Sequence, residues 1–128
     1  MVSKLKKVLV VDDDQEDLAV MKKILIKNGY SPVTCSDADE ALKNLVGDGF
    51  VMLLIDIKLP VLSGYDLLRL MRERVNHFIP LLFVSVVPKD EVDLKDVDGF
   101  IQKPFSEEDF IKEVKSAISK FKPKDGKK

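Results

Sequence analysis

Short, almost wholly apolar runs alternate along the chain with longer stretches in which apolar residues recur every three or four positions. Five of the short runs have the length and residue types of strands: Lys7 to Val11, Pro32 to Cys35, Phe50 to Ile55, Leu81 to Ser85 and Gly99 to Gln102. The first, third and fourth lack polar alternation, as strands covered by helices on both faces do, so they are predicted to be central. Between the strands the period changes to that of helices. Leu18, Met21, Ile24 and Leu25 mark a first helix, which Asn28-Gly29 stops. Asp37 is placed to cap a second, with Glu40 three residues on and Ala38, Ala41, Leu42 and Leu45 on one face, ending near Gly47. Leu67, Leu68, Met71 and Val75 mark another, and Ser106 with Asp109 opens a last helix whose stripe is Phe110, Ile111, Val114, Ile118 and Phe121. From Val86 to Asp98, Pro88 interrupts any helix and beyond it only Val92, Leu94 and Val97 are apolar, so at most a short helix fits there. Alternation of this kind predicts repeated β-α units around a mainly parallel sheet, an α/β fold.

Composition narrows the class. The chain has 128 residues, 21 Lys plus Arg against 22 Asp plus Glu, a formal net charge of -1 and 45% hydrophobic residues. A domain of this size buries roughly two-thirds of its unfolded surface, enough for a core without a disulfide or structural metal. A single Cys excludes a disulfide scaffold, and Cys35, with no CxxC or nearby His, is expected to pack as a small apolar residue in a reducing cytoplasm. Balanced charge argues against direct nucleic-acid binding. The longest strictly apolar run, Phe50 to Ile55, is far short of a membrane span, and the apolar residues behind the basic N-terminus run straight into Asp12-Asp13-Asp14 rather than a cleavage site. One domain is expected over residues 1–122, followed by a disordered basic tail at 123–128.

The candidate chemistry collects at strand ends. Ligands of an open parallel sheet bind at the carboxyl ends of its strands. There the first strand ends in Asp12-Asp13-Asp14, the third in Asp56, the fourth in Ser85 and the fifth in Lys103 before Pro104. Clustered carboxylates repel one another unless a cation neutralises them, and hard oxygen ligands favour Mg²⁺ or a similar ion. A carboxylate beside such an ion, with a hydroxyl and an ammonium close by, has the parts for phosphoryl transfer. Asp56, alone at the end of the most apolar run, is the natural nucleophile, while Asp12 and Asp13 are placed to share the ion. Asp14 alone reads as a helix-start acid.

These residues carry a family resemblance. Val10-Val11-Asp12-Asp13-Asp14, Asp56-Ile57-Lys58-Leu59-Pro60 with Gly64, Val84-Ser85, and Phe100-Ile101-Gln102-Lys103-Pro104-Phe105 stand in order over nearly the whole chain. With them the chain resembles the receiver domain of a two-component response regulator, of the kind found in chemotaxis. The resemblance implies a flavodoxin-like, doubly wound five-stranded parallel sheet of order 2-1-3-4-5 flanked by five helices, the fourth short or irregular. It implies that Asp56 accepts a phosphoryl group from a sensor histidine kinase or a histidine phosphotransfer protein. It further implies that Asp12, Asp13, Asp56 and the backbone carbonyl of Lys58 hold Mg²⁺ (or Mn²⁺). Ser85 and Lys103 would contact the phosphoryl group, and Ser85 with Phe100 would form a switch that changes a protein-interaction surface. Such a protein is cytoplasmic, and it is no conventional enzyme, since it catalyses only its own phosphorylation and dephosphorylation.

Several positions depart from the family pattern. Ser85 and Lys103 stand 18 positions apart, fewer than a full fourth helix needs, which puts a standard dimer through that face in doubt and leaves the oligomeric state open. Val86 carries two γ-methyls where a small residue is commoner, which predicts slower access to Asp56. Phe100 lacks the hydroxyl of the commoner Tyr, biasing it toward burial. Gly64 reads as a turn glycine allowing positive φ, and Pro60 as a loop-shaping residue. His77, in the loop entering the fourth strand, reads as a surface residue at the wrong end of the sheet for chemistry. A start at Met1 and a short tail favour a stand-alone receiver. The alternative function is a receiver-fold protein-binding module that works without phosphorylation. A phosphatase of external substrates is disfavoured, because Lys58 stands where its acid-base carboxylate is needed.

Overall fold

The computed structural model describes residues 6–45, 49–75 and 79–121. Five strands, β1 (Lys7–Val11), β2 (Ser31–Cys35), β3 (Phe50–Ile55), β4 (Leu81–Ser85) and β5 (Gly99–Gln102), form one parallel sheet of order β2-β1-β3-β4-β5. The three apolar runs expected at the centre are there, with β2 and β5 on the edges. The helices are α1 (Gln15–Lys27), α2 (Ala38–Asn44), α3 (Gly64–Val75) and α4 (Glu107–Lys120).

Alternating strand residues face opposite layers, and the helices sort accordingly. Leu9, Val11, Leu53, Ile55, Leu81 and Phe83 pack against α2 and α3, through Ala38, Ala41, Leu67, Leu68 and Met71. Val8, Val10, Met52, Leu54, Leu82 and Val84 pack against α1 and α4, through Leu18, Met21, Ile24, Leu25, Phe110 and Val114. Burying each such side chain contributes about 2 kcal/mol, and both faces of β1, β3 and β4 are covered. Strand residues therefore gain nothing from polar alternation.

Local signals set the helix ends. The Asp14 carboxylate accepts from the Glu16 and Asp17 N–H groups and opens α1. At its other end Gly29, at φ +90°, lets its N–H reach the Ile26 carbonyl and that of Tyr30 reach Leu25, closing a Schellman motif. Asp37 caps the Glu40 N–H of α2, while the Glu40 carboxylate accepts from the Ser36 N–H instead of that of Asp37. Ser106 caps the Asp109 N–H of α4. The expected end of α2 at Gly47, the side chain of Val75, His77 and the tail at 123–128 lie outside the described residues.

Where five helices were expected, the fourth short or irregular, that fourth element is reduced to a single turn. Among the described residues there are four α-helices, and between β4 and β5 only one 3-10 turn, Lys89–Glu91. Pro88 and the short connection leave no room for more. In place of a helix, Val92, Leu94 and Val97 lie partly buried on the α2–α3 face of the sheet. Side chains tie the segment down. Asp98 accepts from the Leu81 N–H at 2.8 Å and from Arg72, whose guanidinium also donates to the carbonyls of Ile79 and Asp96. Tyr65, packed edge-on to Phe83 with centroids 5.3 Å apart, accepts from the Asp93 N–H. A cleft of about 860 Å³ remains between α3 and this segment.

Candidate functional site

Strand register brings the chemistry to one edge. β1 and β3 are in register with Val11 opposite Ile55, and the Asp56 N–H donates to the Val11 carbonyl, so Asp12 and Asp56 leave adjacent strand ends together. From β5, the Lys103 N–H donates to the Ser85 carbonyl at 2.9 Å, fixing those two residues side by side at the ends of β4 and β5. Asp12, Asp56, Ser85 and Lys103 are the buried polar residues of the described chain, in an otherwise apolar interior. Unpaired charges do not persist in such surroundings, so their pairing identifies the site.

The Lys103 ammonium is the hub. It donates to Asp12 Oδ2 at 2.6 Å, Asp17 Oδ2 at 2.8 Å and Asp56 Oδ2 at 3.2 Å. Burial alone would lower its pKa, but the hydrogen bonds to Asp12 and Asp17 and the nearby charges of Asp56 and Asp12 outweigh burial and leave it raised. Burial pushes Asp12, which has no exposed surface, up to about 6, against the opposing pull of its bonds to Lys103 and the Asp14 N–H.

Three carboxylates converge with donor chemistry that could hold a cation. One oxygen from each of Asp12, Asp13 and Asp56 lies within 4.8 Å of the others; Asp12 and Asp56 are buried and Asp13 is exposed. Hard oxygen donors with one side open to water suit Mg²⁺, which retains part of its water shell. The Lys58 N–H donates to Asp56 Oδ1 at 3.2 Å, which keeps that peptide unit beside the cluster. Asp14 is absent from the trio and serves as the α1 cap.

The other predicted residues fall around this centre. Ser85 is fully buried, and its hydroxyl oxygen accepts from the Val87 N–H at 3.3 Å, leaving its own proton free to donate. Phe100 is buried in the α2–α3 layer, in register with Phe83. Val86 is exposed. Cys35 is buried, and burial first, with the Glu40 charge, pushes its thiol up to about 12, in keeping with a packing role.

Gly64 requires a correction. It is not among the positive-φ residues, and its role is close approach: a β-carbon there would collide with the Asp56 carbonyl oxygen and stand 2.8 Å from the Ile57 Cα. In the loop that precedes it, Val61 is at positive φ, 69°. Asp17 was not singled out in the sequence. In the first turn of α1 it reads as a dipole-stabilising acid, and nothing local distinguishes it from Glu16.

Comparison with known proteins agrees with this fold. The family model described as the response regulator receiver domain matches residues 8–115. The chain belongs to that family. Among relatives of this receiver is the alkaline phosphatase synthesis transcriptional regulatory protein PhoP of Bacillus subtilis, 31% identical over 119 residues, covering 88% of this chain and 48% of PhoP. The receiver thus spans about half the length of the curated relatives it matches. A CheY-like receiver domain protein from Methanospirillum hungatei superposes with a TM-score of 0.78 at 28% identity, covering 90% of this receiver and 94% of that chain. A receiver domain protein from Clostridium thermocellum gives 0.79 at 26%, covering 90% and 95%. Among the described residues no helix is long and apolar enough to cross a membrane.

Proposed function

We propose that this receiver is a phosphorylation-dependent switch in which Asp56 accepts a phosphoryl group from a phosphohistidine on a sensor kinase or phosphotransfer protein. The observation that carries this reading is the convergence of Asp12, Asp13, Asp56 and Lys103 at one sheet edge within an apolar interior. A carboxylate oxygen of Asp56 forms a bond to phosphorus as the bond from phosphorus to the donor nitrogen breaks, and the imidazole departs with that electron pair. Asp12, Asp13, Asp56 and the Lys58 carbonyl would hold Mg²⁺, which when bound supplies positive charge against the phosphoryl oxygens. Lys103 pairs with one of those oxygens and the Ser85 hydroxyl donates to another. Movement of Ser85 toward the phosphoryl group, with Phe100 packed inward, would change the surface around β4 and β5. The only chemistry catalysed is formation and hydrolysis of the aspartyl phosphate.

A second reading, protein binding without phosphorylation, draws on the 3-10 turn that replaces the fourth helix. Intact mass after incubation with acetyl phosphate and Mg²⁺ separates the two. A gain of one phosphoryl group, lost in Asp56→Asn and without metal, supports the switch. No gain in folded protein, and none in Val86→Ala, supports the binding module.

A further inference from the structure

Lysine has three N–H donors, and those of Lys103 are matched by three carboxylates. Two of these, Asp12 and Asp56, also belong to the oxygen trio suited to a divalent ion. Ammonium and ion therefore draw on the same two carboxylates and repel each other across them. The third partner, Asp17, is outside the trio. It reaches the ammonium from the first turn of α1, where its N–H is fixed to the Asp14 carboxylate at 3.0 Å and its side chain is 36% exposed. The Lys103 side chain is only 7% exposed, so in this position its charge depends on carboxylate partners rather than on water.

Resting on the Mg²⁺ reading above, we propose that Asp17 is a positioning residue for Lys103. It gives the ammonium a carboxylate that the ion does not use, so that a divalent ion can take up the Asp12 and Asp56 carboxylates without leaving Lys103 unpaired, and so raises the affinity for that ion. An acid in a first helical turn has a bland role as well, favouring the helix dipole. Glu16 shares that turn and charge, is exposed, and makes no bond to Lys103, so it provides the control.

The test is calorimetric Mg²⁺ binding at fixed ionic strength, with the fold of each variant checked by circular dichroism. Asp17→Asn is expected to weaken binding about five- to tenfold, the net scale of one partly exposed intramolecular hydrogen bond. Glu16→Gln should change it less than about twofold, as a screened surface charge does. Asp17→Glu, which keeps the charge, should restore affinity to within about twofold of wild type. In a Lys103→Met background the effect of Asp17→Asn should shrink to that of Glu16→Gln, because the group it positions is gone. An Asp17→Asn effect no larger than that of Glu16→Gln, or one undiminished without Lys103, overturns the inference. If the wild-type protein itself binds no Mg²⁺ at millimolar concentration, the metal reading falls and this inference with it.

Discussion

The α-carbon of Gly64 is seated against the carbonyl of Asp56, and its N–H donates to the Ile57 carbonyl at 2.7 Å. The start of α3 is thereby pinned to the residue that bears the candidate nucleophile. Any side chain at 64 must push on backbone, which does not yield as a flexible side chain does. Gly64→Ala is expected to destabilise the fold by about 3 kcal/mol, the upper range for overpacking. Urea denaturation measures this, and a loss below about 1 kcal/mol would show that the loop shifts freely.

Val61 is a β-branched residue held at φ 69° with its side chain fully in solvent. It carries left-handed strain without burial to offset it. Val61→Asn should stabilise the protein by about 1 kcal/mol, since asparagine tolerates this conformation. An unchanged urea midpoint would mean that the loop relaxes to relieve Val61.

Asp98 replaces part of the work of a helix by accepting from the Leu81 N–H and from Arg72. Asp98→Ala leaves that N–H without its partner and should cost about 2 kcal/mol. Asp98→Asn keeps an acceptor for the N–H and should lose less than half of that. Equal losses in the two variants would assign the effect to the charge on Arg72.

Asp12 has a folded pKa near 6, above its ordinary value of 3.8. A carboxyl whose pKa is raised by folding favours the folded state while protonated, and that contribution disappears as pH rises from about 4 through about 6. Without divalent ions, the stability of Asp12→Asn relative to wild type should therefore increase between pH 4 and pH 6.5 and level off above. Urea denaturation across that range tests the sign, and a difference that falls with pH contradicts it.

The strands and their central order were legible because burial on both faces demands continuous apolar runs, and no other period fits β1, β3 and β4. The observed ends agree with the expected ones to within a residue, β2 beginning at Ser31 instead of Pro32. Asp12, Asp13, Asp56 and Lys103 were legible because strand ends of a parallel sheet converge whatever joins them. Asp17 was not, since its bond to Lys103 spans 86 positions and depends on how α1 is turned over the sheet. Gly64 was recognised but given the wrong cause: a glycine needed for closeness and one needed for positive φ look alike until the neighbouring backbone is placed. The connection from Val86 to Asp98 announced only the lack of room for more than a short helix.

That lack changes where the connection keeps its order. A helix satisfies its own amides along an internal ladder, and no single substitution removes more than a rung. Here the Val87 N–H relies on the Ser85 hydroxyl, that of Asp93 on Tyr65 and that of Lys95 on the Asp93 carboxylate, while Gln102 holds the Val87 carbonyl. Beside a few backbone bonds, the conformation of this stretch is written in side chains, its own and its neighbours'. It can be revised one residue at a time, with the sheet beneath left intact.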